Sequence, residues 1–89
     1  MIEENLLIIN KLGMHARAAA KFVTTASQFQ SDIQVARNGR IVNGKSIMGL
    51  MMLAAAKGTE IKVHIRGDDE QLAFEQIEQL VNDYFGEGE

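Results

Sequence analysis

The sequence has no cysteine, no proline and no tryptophan, and only one tyrosine and four phenylalanines. Without thiols there can be neither a disulfide framework nor a thiolate zinc site; a redox role is excluded, and nothing argues for an oxidising compartment. No Pro- or Ser-rich linker and no internal repeat divides the 89 residues. A single domain over residues 1–89 is therefore expected, with 85–89 read as a flexible tail rich in glycine and glutamate. A chain of this length buries only about 60 to 65% of its unfolded surface, which leaves little room for strain. Long apolar runs are missing too. The longest, Ile47 to Ala56, lies between Ser46 and Lys57 and falls well short of the ~20 residues needed to cross a bilayer. Residues 1–5 lack the cationic start and apolar core of a secretory leader, so membrane insertion is not expected and a cytoplasmic location is.

Charge of one sign is absent from whole stretches. All nine basic residues fall between 11 and 66, beside only Asp32 and Glu60, whereas 67–89 carry eight acids and no base. The net charge of −3 thus hides an electropositive middle that could meet an anionic small group, an acidic protein or a nucleic acid. A nucleic acid is disfavoured, because the block lacks interleaved aromatics and a long basic helix, and the acidic C-terminal segment would repel phosphates.

The elements follow from periodicity. Leu6 to Ile9 is a short apolar run that reads as a buried strand, closed by Asn10, Lys11 and Gly13. From Ala16 to about Gln28, Ala16, Ala19, Ala20, Val23 and Ala26 recur at helical spacing. Ile33 and Val35 alternate with polar neighbours, and Asn38-Gly39 before Arg40-Ile41-Val42 predicts a hairpin. A helix is expected between Ser46 as N-cap and Gly58 as stop, shortened by Gly49. Ile61, Val63 and Ile65 alternate with outward Lys62, His64 and Arg66 in a half-buried strand. Asp68 and Gln71 form a candidate capping box before a last helix striped by Ala73/Phe74, Ile77, Leu80/Val81 and Tyr84/Phe85. The order β-α-β-β-α-β-α predicts an α+β fold, with three helices on one face of a four-stranded, mainly antiparallel sheet.

Chemistry concentrates where Gly13-Met14-His15-Ala16-Arg17-Ala18 enters the first helix. Free N–H groups of a first turn, here of Ala16, Arg17 and Ala18, bind anions, and the dipole adds roughly 0.3 to 1 kcal/mol. Arg17 supplies a forked donor suited to phosphate. His15 supplies a nitrogen nucleophile, and Gly13 would let a partner come close. Together these describe a histidine able to accept and hold a phosphoryl group; on residue types alone, the plainer reading is the favoured one, with His15 a helix cap and Arg17 a solvated cation. No triad and no metal shell is evident, since there are two histidines, no thiol and no carboxylate in this segment. No metal or cofactor is expected.

Residues Lys11 to Phe22 resemble the active-site segment of the HPr family, the histidine-containing phosphocarriers of the bacterial phosphotransferase system. Residues Gly44 to Leu53 resemble that family's second signature, and Ala56 to Ile61 its approach to the last strand. The resemblance spans essentially the whole chain. It implies an open-faced β-sandwich, phosphorylation of His15 on Nδ1 by enzyme I with phosphate derived from phosphoenolpyruvate, and onward transfer to an enzyme IIA. Arg17 would stabilise the phosphate. The chain would be a monomeric carrier and not a turnover enzyme. Where the family usually has proline after the arginine, Ala18 stands here; the change keeps the helix and adds a donor. The Ala-rich motif and Met51-Met52-Leu53 look most like the nitrogen-related branch, often called NPr, with the sugar-uptake HPr and a non-phosphorylated regulator on the same fold as alternatives. Against the regulator stands His15, which relatives of that type lack.

Ser46 has two readings. As N-cap it contributes about 1 kcal/mol; by resemblance it matches the serine modified by HPr kinase/phosphorylase, where about two negative charges would repel an acidic partner. Ile47, Met48, Leu50, Met51 and Met52 exceed what one helical face buries. Part of this set should be core and the remainder a docking patch suited to changing partners, rimmed by Arg17, Lys21, Lys45 and Arg40. His64, outward on its strand, should be solvated.

Overall fold

The computed structural model describes residues 1–89. β1 (Ile2–Leu7), α1 (Ala16–Ala26), β2 (Asp32–Arg37), β3 (Arg40–Asn43), α2 (Ile47–Met52), β4 (Glu60–Arg66) and α3 (Glu70–Asn82) follow in that order, ending in a 3₁₀ turn at Tyr84–Gly86. The sheet order is β1-β4-β2-β3 and every pairing is antiparallel. Registers such as Ile2↔Ile65, Ile33↔Ile65 and Val35↔Val63 stack the apolar residues of alternate positions on one face, because side chains alternate with period two. The core comprises that face, with Ile33, Val35, Ile61, Val63 and Ile65, and the helical residues Ala18, Ala19, Phe22, Ala26, Leu50, Ala73, Ile77 and Val81. The other face is wet. On it Glu3 lies 3.5 Å from Lys62 and 3.3 Å from His64, surface pairs worth at most about 1 kcal/mol. The expected α+β sandwich with helices on one side is what the chain forms.

The Asn38-Gly39 hairpin has positive φ at both turn positions, 51° and 78°, as a two-residue turn of this hand demands. Other boundaries differ from expectation for local reasons. β1 begins at Ile2 and does not bury four residues in a row: Leu6 and Ile8 point inward and Leu7 is exposed, since this edge strand has one face in water. α1 ends at Ala26, where Gln28 and Phe29 N–H groups switch to Thr25 and Ala26 carbonyls and turn Phe29 into the core. α2 stops at Met52, well before Gly58. Arg37 Nη1 donates to the Leu53 carbonyl at 2.7 Å and Arg40 Nη1 to Met52 at 3.2 Å, so two cations satisfy the orphan carbonyls of the helix end.

The capping box is not made. Asp69, not Asp68, is the N-cap of α3, and Gln71 plays no part in it. Its carboxylate instead accepts from the N–H of Gln30 at 2.9 Å, the N–H of Ser31 at 3.0 Å and the Ser31 hydroxyl, while Glu70 accepts from the Gly67 N–H at 3.1 Å. Gly67 (φ 154°) lets Ser31 close in, since a Cβ there would lie 2.4 Å from Ser31 Oγ. The flexible tail is also corrected. Phe85 is fully buried, the Lys21 ammonium donates to its carbonyl at 2.7 Å, and the Lys11 N–H donates to the Glu89 carbonyl at 3.0 Å. An aromatic at the end of the apolar stripe of α3 secures the segment by burial, which its glycines alone did not suggest.

Two outcomes test this packing. Gly67→Ala should cost about 3 kcal/mol or more in urea unfolding, from backbone strain plus the clash, whereas Gly39→Ala, with nothing within 4 Å of its Cβ, should cost about 1 to 2 kcal/mol; equal costs would contradict the close approach. The Ser31 hydroxyl, and after it the Gln30 N–H, hold the Asp69 carboxyl below the ordinary aspartate range against a smaller desolvation effect. A depressed acid contributes stability that is present above its unfolded value of about 4 and lost as pH falls through the folded one. Asp69→Asn should therefore flatten the dependence of Tm on pH below about 4, and an unchanged acid slope would contradict the assignment.

Candidate functional site

His15 is the N-cap of α1, with extended φ and ψ of −76° and 178°. Its Nδ1 accepts from the Arg17 N–H at 3.3 Å, and its carbonyl accepts the first intrahelical bond, from Ala19, at 2.9 Å. The imidazole therefore caps the helix and at the same time lies at the positive end of its dipole. The capping reading of this residue is realised. Ala16 and Arg17 are exposed, whereas Ala18 is buried against the core.

The loop that delivers His15 is fixed from two sides. Gly13 (φ 66°) is buried, and a Cβ on it would lie 2.5 Å from the Ala55 carbonyl oxygen; the next N–H, of Met14, donates to that oxygen at 2.8 Å. The close approach that needs glycine is thus made by the chain's own Ala55–Ala56 segment and not by a partner. On the other side, Asn10 is fully buried and its Nδ2 donates to the Gly13 carbonyl at 2.8 Å and to Glu87 Oε1 at 2.9 Å.

Glu87 completes the group. Its second carboxylate oxygen, Oε2, pairs with His15 Nε2. Burial pushes the Glu87 carboxyl up, but the hydrogen bonds from Asn10 and His15 and the positive charge of Lys21 outweigh that effect and leave it below the usual carboxylate range. A cleft of about 440 Å³ opens here, lined by Lys11, Leu12, His15, Arg17, Lys21, Gly86, Glu87 and Glu89. Three cations, two carboxylates and a partly exposed imidazole face the same space. Such an arrangement can receive an anion at the helix mouth and present a ring nitrogen to it.

Sequence reading missed Glu87 and Lys11. Lys11 adjoins the motif and its charge was visible; Glu87 lies 72 residues from His15 within an acidic stretch, and only the burial of Phe85 two positions earlier, a residue already on the stripe of α3, could have signalled its return.

The remaining candidates lie on or beside α2. Ser46 Oγ accepts from the Gly49 N–H at 3.1 Å, so its capping role is realised, and the side chain is partly accessible. Ile47, Met48, Met51 and Met52 are exposed, Met48 most of all at 75%. Leu50 is a correction: it is fully buried at 0%, because its position on the short helix faces α1 and the sheet, and it belongs to the core and not to a docking patch. Lys45 Nζ donates to the Phe29 carbonyl at 2.7 Å and Lys21 Nζ to the Phe85 carbonyl, so both cations are anchored to backbone. His64 is on the outward face as expected, beside Glu3. No group of three or more His, Cys, Asp or Glu is placed to hold a metal ion, and no helix is long and apolar enough to cross a membrane.

A family model described as the PTS HPr component phosphorylation site matches residues 2–83. The chain is 58% identical over 89 residues to the phosphocarrier protein HPr of Neisseria meningitidis serogroup A, covering 100% of both. It is 42% identical over 83 residues to the HPr-like protein Crh of Bacillus subtilis, covering 93% of this chain and 98% of that one. The crystal structure of HPr-C-His from Thermoanaerobacter tengcongensis superposes with a TM-score of 0.94 at 46% identity, covering 98% of each chain.

Three substitutions separate core from surface on α2. Leu50→Ala should cost about 2 to 5 kcal/mol of stability and Ser46→Ala about 1 kcal/mol, while Met48→Ala should stay within about 0.5 kcal/mol, all by denaturant titration. A Met48→Ala loss equal to that of Leu50→Ala would contradict this division.

Proposed function

Since the chain belongs to the HPr family, the phosphocarriers of the phosphotransferase system, we propose that it carries its phosphoryl group on Nδ1 of His15, receiving it from enzyme I and passing it to an enzyme IIA. One observation supports this above others: the imidazole sits at the open mouth of α1 with Nδ1 toward the first-turn N–H groups and Nε2 engaged elsewhere. A phosphoryl group on Nδ1 would meet the N–H groups of Ala16, Arg17 and Ala18 and the helix dipole, and the Arg17 guanidinium, exposed beside the same cleft, would offer two further donors. No cofactor is required, because the histidine itself is the nucleophile and the donor protein supplies the phosphate.

Transfer between proteins needs a transient contact beside the histidine. Ile47, Met48, Met51 and Met52 supply an adaptable apolar surface, next to the loop through which Ala55 contacts Gly13, with Arg17, Lys21 and Lys45 at its edges and acidic partners as the complement. Ser46, at the N-terminus of α2, is the candidate regulatory phosphorylation site for an HPr kinase/phosphorylase; a phosphoserine there would set negative charge against that surface. The chain is read as a monomeric cytoplasmic carrier acting within a single domain, 1–89. Its Ala18 and Met51-Met52-Leu53 favour the nitrogen-related branch, NPr. The sugar-uptake system is the second reading, favoured by the name HPr that the relatives carry.

Incubation with enzyme I and phosphoenolpyruvate should place one acid-labile, base-stable phosphate on the protein and none on His15→Ala; equal labelling of that variant would refute the assignment. Arg17→Ala should slow transfer by roughly tenfold or more with unchanged thermal unfolding, as expected for loss of a charge-assisted contact, and a parental rate would remove Arg17 from the mechanism. Run with the nitrogen-type and the sugar-type enzyme I side by side, the same assay should show faster labelling by the former, and the reverse order would assign the chain to sugar uptake.

A further inference from the structure

We infer that Glu87 is a positioning residue for phosphoryl transfer, holding the His15 proton on Nε2 through a relay that begins at the buried Asn10. The inference rests on the carrier reading above and names a device within the same site.

The carboxylate of Glu87 is placed by structure on every side. Asn10 Nδ2 donates to its Oε1 at 2.9 Å. Behind it the backbone is closed by the Gly86 N–H on Asp83 at 2.8 Å and the Glu87 N–H on Tyr84 at 2.9 Å. Phe85 is sunk in the core, and Lys21 holds the Phe85 carbonyl. The Glu87 side chain is only 12% exposed. A carboxylate this constrained, facing one ring nitrogen, acts on that nitrogen and not on solvent.

Two contacts then select the same tautomer. An ionised carboxylate only accepts, so Glu87 Oε2 requires a hydrogen on Nε2. The Arg17 N–H only donates, so it requires a lone pair on Nδ1. Both leave Nδ1 as the nucleophile. In the step itself the Arg17 N–H releases Nδ1, whose lone pair forms the N–P bond while the bond from phosphorus to the donor protein's phosphohistidine nitrogen breaks, its electron pair returning to that ring. No proton leaves His15: the Nε2 hydrogen stays on the ring, against the carboxylate, and the positive charge the ring acquires faces the negative charge of Glu87. When the phosphoryl group moves on, the Nδ1–P electron pair returns and the starting tautomer is restored. The arrangement is the logic by which an acidic side chain orients an imidazole and stabilises its charged form, here applied to a phosphoryl acceptor.

The test uses the full chain with Glu87→Gln and Glu87→Asp. In the parent, proton NMR should show the His15 Nε2 hydrogen as a low-field, slowly exchanging resonance, which Glu87→Gln loses and Glu87→Asp partly restores. In steady-state phosphorylation by enzyme I, Glu87→Gln should lower kcat by about tenfold or more, the range of one charge-assisted hydrogen bond, with a much smaller change in KM for the protein, because Glu87 bonds the ring nitrogen and is not one of the apolar docking residues of α2. A change in KM alone, a parental kcat in Glu87→Gln, or an Nε2 hydrogen that exchanges as fast in the parent as in the variant would each overturn the proposal. The ring-proton comparison needs no phosphate donor, so it rules on the contact even if the parent accepts no phosphate and the carrier reading itself fails.

Discussion

The buried side chain of Asn10 joins two parts of the chain that sequence separates by 77 positions. Its amide nitrogen spans the Gly13 carbonyl and the Glu87 carboxylate. A buried amide is tolerated only where it is hydrogen-bonded, and these two contacts are what the burial of Asn10 serves. An apolar residue would fill the same space but would release both the approach to α1 and the last turn. The buried polar group stands where the fold must hold a loop in one position, and that loop carries His15.

The rest of the fold serves the same end by subtraction. Four antiparallel strands and two long helices bury the apolar residues that stability requires, and α2 is left short, with Leu50 as its buried residue. Arg37 and Arg40 donate to carbonyls at its end, the chain leaves the helix through Ala54 in a left-handed conformation (φ 51°), and Met48, Met51 and Met52 lie at the surface. The segment after it, Ala54 to Ala56, returns against Gly13 and ties the methionine surface to the histidine loop. The loop holding the His15 imidazole and the soft apolar side chains of α2 are thus linked, and the proposed transfer between proteins rests on that link.

Much of this was legible in the residues. Period-two alternation over 60–66 and the Asn38-Gly39 turn placed the sheet, because register is set wherever one face is buried. The motif from Gly13 to Ala18 marked the entry to α1, and Ser46 marked the start of α2. What stayed hidden depends on contacts between distant residues. Asp68 reads as the cap of the last helix until Asp69 is seen in that place, bonded to Ser31. Gly13 reads as an opening for a partner until Ala55 fills the space. Leu50 differs from its methionine neighbours only by its angle on the helix, and Glu87 lies in a segment whose composition suggests disorder. In each case the local signal was correct about residue chemistry and silent about which distant group would meet it.

The central claim of the proposal is that the two nitrogens of one imidazole face different neighbours, Nε2 the Glu87 carboxylate and Nδ1 the helix mouth, where the Arg17 N–H gives way to phosphorus. Phosphorylated protein labelled with ¹⁵N at histidine would report which nitrogen is coupled to phosphorus by NMR. The account predicts coupling to Nδ1 of His15 alone, and coupling to Nε2 would contradict it.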